Sequence, residues 1–308
     1  MRRFAAMDLG TNTALLVVAE KHEGLWCPVL ERAEITRLGQ GVDGTKRLLP
    51  EAMERSARML GEYAREARSL GVADEDMAAV STSAARDALN GGELISLVRK
   101  YGGLPLEIIP GEEEARLTWL GATADLKAAP GQKLCVFDIG GGSSELIFGT
   151  KAGMDFRRSF DVGSVRMTER FLRSDPPSRD EKAALLEHLC RLFSEAPRPE
   201  EAPLFVGVAG TVTTLFTLIH GIEPYDSQRV HGARMELSEL NALSERLFCL
   251  SVAERKRLKG IEPKRADVIA AGGAILQCAM DRLGVTHLTV SDRGLRWGLL
   301  ADRFGGRS

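Results

Sequence analysis

The sequence predicts an α/β protein made of two related domains. Three observations carry that expectation. The chain has 308 residues, long for one core when domains usually run to roughly 100–200 residues. The stretch FAAMDLGTNTALLVVAE (Phe4–Glu20) returns as KLCVFDIGGGSSELIFG (Lys133–Gly149), and its aspartates, Asp8 and Asp138, lie 130 residues apart. A second pair follows at a similar offset: MAAVSTSAARDALNG from Met77 and LFVGVAGTVTTLFTL from Leu204. Self-similarity at so long a period reads as two domains facing each other rather than as a solenoid. A cleft between such domains is a favoured ligand site.

Each element follows from its residues. The stretches at Phe4 and Lys133 read as β-hairpins, short apolar strands joined by a turn of Gly, Ser, Thr and Asn. Those at Met77 and Leu204 read as an apolar strand, a small-residue turn and a helix. Pro50–Leu70 is a helix, with Pro in its first turn and apolar positions at Met53, Leu60, Tyr63 and Leu70. Asp180–Phe193 and Ser238–Leu250 are helices, and SDPPSRD and EAPRPEEAP are loops on their Pro and charge content. HLTVSDRGLRWGLLADRF (His287–Phe304) repeats the strand–turn–helix pattern. The domain boundary is expected near LKAAPGQK (Leu126–Lys133), giving domains 1–128 and 129–294.

Composition narrows the function. A net charge of -2 argues against a general nucleic-acid binder, which is normally basic. The five cysteines (27, 135, 190, 249, 278) are scattered and none sits at CxxC spacing, so neither a zinc ribbon nor a disulfide framework is signalled. Cys135 and Cys278 read as buried thiols. The five histidines show no HxxxH or HExxH spacing. His231 reads as a surface or loop histidine. No apolar stretch follows the N-terminal arginines as in a signal peptide, and no run of about 18 apolar residues suggests a span, so the expected location is the cytoplasm with no membrane partner.

Phosphate chemistry is the reading the turns favour. Successive glycines let backbone N–H groups converge into a nest for phosphate oxygens. Gly140, Gly141 and Gly142 offer such a nest, with Ser143 and Ser144 adding hydroxyls; Gly10, Thr11, Asn12 and Thr13 hold the same place in the first hairpin. There is no Gly-Lys dipeptide and hence no Walker A loop, and GGGSS lies between strands, which sets it apart from a dinucleotide fingerprint. Asp138 and Glu145 bracket the second turn, and Asp8 precedes the first. Carboxylates beside phosphates repel them unless a cation intervenes, and hard oxygen ligands point to Mg²⁺ or another divalent cation held by Asp8, Asp138 and Glu145. In PGEEEARLTWLGA from Pro110, glutamates opening a helix suit its dipole. Glu114 differs in phase and adjoins the apolar face, as a base for water would. Arg86, Arg166, Arg265 and Arg293 are candidate phosphate contacts as a set; singly, each reads as a surface ion pair.

MDLGTNT, STSAARDALN, GEEEARL, FDIGGGSSEL, VGVAGTVTTL, RADVIAAGG and SDRGLRWGLL occur in the order seen in the Ppx/GppA phosphatases, the exopolyphosphatases and guanosine pentaphosphate phosphohydrolases. The chain resembles that family from Met7 to about Leu300. The resemblance implies two duplicated actin/sugar-kinase-like (ribonuclease H-like) domains, with the last helix, about 295–308, packing back on the first. It implies that Glu114 is the base for the attacking water and that Asp138 and Glu145 hold metal or order that water. Asp8 matches the first-loop acid. Gly10–Thr13, Gly140–Ser144 and, in VAGTVTT, Gly210 and Thr211 match phosphate-binding positions, as do Arg86 and Arg265. Two departures stand out: Leu15 replaces a commonly basic residue, and Ser144 replaces a more usual Thr. Longer relatives also continue into a helical C-terminal region.

The expected activity is Mg²⁺-assisted release of orthophosphate from inorganic polyphosphate. The alternatives are hydrolysis of guanosine pentaphosphate to the tetraphosphate, and a regulatory module that binds nucleotide or polyphosphate without turnover. A small-molecule kinase of the same superfamily and a filament former rank lower. A homodimer is an expectation from the resemblance only.

Overall fold

The structure is a computed structural model that describes residues 2–307. The chain divides into two compact units. Unit 1 is Met1–Ala124 with Gly294–Ser308, and unit 2 is Asp125–Arg293.

Unit 1 holds a five-stranded sheet built from β1 (Arg3–Leu9), β2 (Thr13–His22), β3 (Leu25–Ile35), β4 (Met77–Ser81) and β5 (Leu106–Ile108), in the order β3-β2-β1-β4-β5. The first three strands run antiparallel as a meander; β4 and β5 join parallel to β1. A parallel sheet needs cover on both faces, and unit 1 supplies it. On one face the helices Pro50–Ser69 and Gly91–Gly102 bury Met7, Leu16, Leu60 and Leu94. On the other, the helices Gly111–Thr123 and Leu295–Phe304 bury Phe4, Val17, Leu117 and Trp297. These last two helices cross backbone to backbone: a Cβ on Gly298 would lie 1.7 Å from the Leu117 carbonyl oxygen. The first turn of Gly111–Thr123, which carries the three glutamates, is thereby fixed in unit 1.

Unit 2 repeats the scheme with β6 (Leu134–Ile139), β7 (Ser144–Thr150), β8 (Gly153–Phe160), β9 (Leu204–Val208), β10 (Arg234–Glu236) and β11 (His287–Val290), in the order β10-β11-β9-β6-β7-β8. Strands β6, β7 and β8 form the antiparallel meander, and β9 and β11 follow in parallel from β6. Strand for strand, β6-β7-β8-β9-β11 matches β1-β2-β3-β4-β5, with β10 added at the edge. Every residue of β6 is buried, as befits a central strand covered on both faces. The helices Arg179–Phe193, Ala209–His220, Leu237–Cys249 and Ile269–Leu283 supply the cover.

The meanders contain a third strand each, β3 and β8, beyond the two-stranded hairpins expected from the sequence. Cys135 and Cys278 are buried thiols, and burial pushes both upward in pKa.

Candidate active site, one unit at a time

In unit 2 the loop between β6 and β7 closes on itself: the Gly140 amide donates to the Ser143 carbonyl at 3.0 Å. Its carbonyls are then taken by the start of the helix Ser164–Phe171. Gly140 O accepts from Ser164 N at 3.0 Å, Gly141 O from Val165 N at 2.9 Å and Arg166 N at 3.0 Å, and Gly142 O from the buried Arg166 Nε at 2.7 Å. In a trans peptide the C=O and the following N–H point in opposite directions. The amides of Gly141, Gly142 and Ser143 therefore all face away from that helix, on one side of the loop. Amides arranged this way can form a nest for an anion. Gly163 permits it, since a Cβ there would lie 2.4 Å from the Gly141 carbonyl carbon.

The acids stand beside this loop in one row. Antiparallel register sets Asp138 directly opposite Glu145, and Glu145 directly opposite Ser159. Directly opposed residues project from the same face of a sheet. Asp138 is 8% exposed and Glu145 1%, and the Ser159 hydroxyl donates to Glu145 Oε1 at 2.7 Å. Two buried carboxylates in direct opposition repel. Among the described residues no group of three or more His, Cys, Asp or Glu is gathered to hold a metal ion. A pair of carboxylates nonetheless fits Mg²⁺, which commonly takes one or two protein carboxylates and completes its shell with water and phosphate oxygens.

Unit 2 also brings Gly210, Thr211 and Arg265 together. A Cβ on Gly210 would lie 2.3 Å from Arg265 Nη2, so the half-buried guanidinium rests on the turn after β9. Burial draws Arg265 down to about 10, against the pull of Glu262 and Tyr225. Ala209, in the same turn, adopts φ 74°, a left-handed conformation that costs a non-glycine residue roughly 1–2 kcal/mol.

In unit 1 the Gly10 amide donates to the Thr13 carbonyl at 3.0 Å, as in the second loop. Thr11 O accepts from Gly39 N at 2.8 Å and Asn12 O from Thr36 N and Arg37 N at 3.0 Å. By the same trans geometry the amides of Asn12 and Thr13 face away from the segment 36–39. Asn12 is 7% exposed, and among the described residues nothing accepts from its Nδ2. Such a buried donor is costly unless something supplies an acceptor. Asp8 is half-buried on β1, opposite Leu15 on β2 and beside Val80 on β4.

The three glutamates of the helix Gly111–Thr123 separate clearly. Glu112 is exposed. Glu113 pairs with Arg116 at 2.8 Å, which also reaches Asp302 at 2.7 Å. Glu114 is 7% exposed, and Arg86 Nη1 donates to its Oε2 at 3.0 Å and to the Ile109 carbonyl at 3.2 Å. Arg86 thus orients the Glu114 carboxylate, a pairing across 28 residues of sequence that the motifs do not reveal.

Two hydroxyls expected to serve phosphate have partners within their own units. Ser144 donates to the Val162 carbonyl at 2.6 Å, and Thr11 shares a 2.8 Å hydrogen bond with Ser83. Both hydroxyls brace their loops. His231, read as a surface or loop histidine, lies in the turn before β10 and is clamped in unit 2. Its Nε2 meets Asp125 at 2.9 Å and its Nδ1 meets Asp292 at 3.1 Å, while Arg293 reaches the same Asp125 oxygen at 2.9 Å. Sequence reasoning did not single out Ser159, Gly163 or Gly39, and it named Arg166 as a phosphate contact without seeing its bond to the loop carbonyl. The signal for Gly163 and Gly39 was a glycine just after the third strand of each meander.

A model of the Ppx/GppA phosphatase family matches residues 17–305. The exopolyphosphatase 2 of Mycobacterium tuberculosis is 36% identical over 99% of both chains. The exopolyphosphatase 1 of Mycobacterium leprae is 29% identical over 97% of this chain and 88% of its own length. Among solved structures, the Ppx/GppA family member of Aquifex aeolicus superposes with a TM-score of 0.83 at 33% identity, covering 100% of this chain and 99% of that one.

Proposed function

The chain belongs to the Ppx/GppA phosphatase family, and from that premise we propose that it is an exopolyphosphatase, releasing terminal orthophosphate from inorganic polyphosphate. The observation that carries this reading is the unit 2 row: Asp138 opposite Glu145, beside three amides turned to one side of a glycine loop. That pairing suits a polyanion whose charge must be shared between a cation and backbone donors.

In this reading each unit offers phosphate-binding groups of its own. The amides of Gly141, Gly142 and Ser143 grip phosphate oxygens in unit 2, with Arg265, Gly210 and Thr211 contributing. The amides of Asn12 and Thr13 and the Asn12 side chain do so from unit 1. Glu114, oriented by Arg86, takes the proton of a water molecule. As the water oxygen bonds to the terminal phosphorus, the bridging P–O bond breaks and the shortened chain leaves with the electron pair. Fixed amides meet the charge that develops on the phosphoryl oxygens, where such donors have their largest effect. Asp138 and Glu145 would hold Mg²⁺ or another divalent cation, which when bound supplies charge neutralisation to the phosphates.

Glu114→Gln tests the proposal. Orthophosphate release is expected to fall by about 10²–10⁴-fold, while polyphosphate binding, followed by filter retention of labelled polymer, persists. Wild-type turnover in Glu114→Gln would remove Glu114 as the base. Guanosine pentaphosphate offers the same linear phosphoanhydride to the same loops, so turnover on the two substrates, measured side by side, assigns the preference. A module that binds without turnover is excluded by sustained phosphate release.

A further inference from the structure

The acid row of unit 2 continues one strand beyond its two carboxylates. Strands β6, β7 and β8 are antiparallel and in register, so Asp138, Glu145 and Ser159 follow one another across the sheet on one face. Ser159 lies on the edge strand, and its hydroxyl donates to Glu145 Oε1 at 2.7 Å. Neighbouring β8 residues on this face, Asp155 and Arg157, are exposed. The row therefore runs from buried acid to exposed hydroxyl.

We propose that Ser159 is a positioning residue that sets the Glu145 carboxylate to receive a divalent cation. This rests on the reading of Asp138 and Glu145 as cation-holding acids. The physical argument has two parts. A glutamate side chain has three rotatable torsions before its carboxylate plane is fixed, and rotamer freedom lost on binding weakens affinity. A hydrogen bond from a serine on the adjacent strand fixes that plane in advance, with the donor itself held by the sheet. Moreover, a neutral hydroxyl orients the carboxylate without neutralising it, whereas a lysine or arginine in the same place would compete with the cation. Partners of this kind typically govern metal affinity about 10–100-fold. The equivalent row of unit 1 shows that the frame does not itself require the hydroxyl, because Ala33 stands at the matching place on β3, opposite Leu15.

Three full-length variants test it: Ser159→Ala, Ser159→Thr and Glu145→Gln. Manganese binding is read directly, without turnover, from the loss of the free Mn²⁺ electron paramagnetic resonance signal. Orthophosphate release from polyphosphate is titrated with Mg²⁺ alongside. Ser159→Ala is expected to weaken Mn²⁺ binding about tenfold and to shift the Mg²⁺ midpoint upward by a similar factor. Ser159→Thr, which keeps the hydroxyl, is expected to stay within about twofold of the parent on both readouts. Wild-type Mn²⁺ affinity in Ser159→Ala, with affinity lost in Glu145→Gln, overturns the role of Ser159 and leaves the acids in theirs. Weakening in Ser159→Ala that Ser159→Thr does not restore overturns it as well, since packing rather than the hydroxyl would then be responsible. Wild-type affinity in Glu145→Gln overturns the cation reading itself, and the role of Ser159 with it.

Discussion

The two meanders share a frame and differ in what they mount on it. In both, the loop glycine donates to a carbonyl three residues on at 3.0 Å, from Gly10 to Thr13 and from Gly140 to Ser143. In both, the aspartate closing the first strand has a valine beside it on the parallel neighbour, Val80 for Asp8 and Val208 for Asp138. Across the antiparallel strands the rows part: Asp8–Leu15–Ala33 in unit 1, Asp138–Glu145–Ser159 in unit 2. Their bracing differs too. A turn at 36–39 holds the first loop, whereas the start of a helix and the Arg166 side chain hold the second. Duplication thus preserved the backbone that presents amides, while the side-chain row diverged to concentrate carboxylates in one unit.

The comparison breaks most directly if the second row is rewritten as the first. Glu145→Leu places in unit 2 the residue that unit 1 tolerates at the same position, so the sheet should persist with an unchanged circular dichroism spectrum. Orthophosphate release should nevertheless fall by about 10²–10³-fold, the scale of losing a preorganised charge-stabilising group. Activity near the parent's would mean that the divergence between the rows carries no chemistry.

A finer test uses the two glycines that let the braces approach the loops. A Cβ on Gly163 would sit 2.4 Å from the carbonyl carbon of Gly141 and 2.5 Å from the amide nitrogen of Gly142, both backbone. A Cβ on Gly39 would meet the Thr11 methyl at 2.3 Å and the Ala84 Cβ at 3.0 Å, both side chain. Backbone must shift in the first case; a side-chain rotation absorbs part of the second. Gly163→Ala is expected to cost about 10–100-fold in orthophosphate release, because misplacement by about an ångström is that expensive. Gly39→Ala should cost less than about tenfold by the same reasoning. The reverse order would show that the first loop, not the second, sets the geometry of the reaction.

How much of this was legible in the sequence follows from where each signal arises. The strands flanking the loops announced themselves because apolar runs on both sides of a small-residue turn leave little alternative, and the 130-residue repeat doubled the signal. Strand β3 (LWCPVLERAEI) did not, since an edge strand facing solvent loses its apolar alternation, and Pro28 is tolerated there only because the edge needs no further partner. Asp138 and Glu145 were read from their places on either side of the glycine turn, and Glu114 from its phase against the apolar pattern. The Ser159 contact was not, for it depends on the register of β7 against β8, which a bulge at Phe148/Gly149 shifts. Nor does residue type reveal hydroxyl partners: Ser144 donates to the Val162 carbonyl, and Thr11 shares a hydrogen bond with Ser83. The Arg86–Glu114 pair likewise joins two motifs that only folding places side by side.

The smallest expected effect concerns a feature of unit 2 alone, at its first and last residues. Asp125 opens the unit and Arg293 closes it, and His231 joins the two ends through Asp125 and Asp292. Ser291 lies 3.5 Å from the same ring. The hydrogen bond to Asp125, then that to Asp292, holds the imidazolium to about 9, outweighing the cost of its burial. Burial alone would raise Asp125, but His231 and Arg293 bring it below the usual carboxylate range. A histidine whose folded pKa lies above its unfolded value stabilises fully below about pH 6.5 and loses that contribution as pH rises through the folded pKa. With partial exposure screening the pair, the loss amounts to about 1–2 kcal/mol. The melting temperature of the parent should therefore fall between pH 7 and 9.5 by a few degrees more than that of His231→Gln, which has no proton to lose. Parallel curves for the two proteins across that range would show that the clasp stays closed, or was never closed, independently of the proton. The two ends of unit 2 would then be held without the histidine's charge, Arg293 still pairing with Asp125.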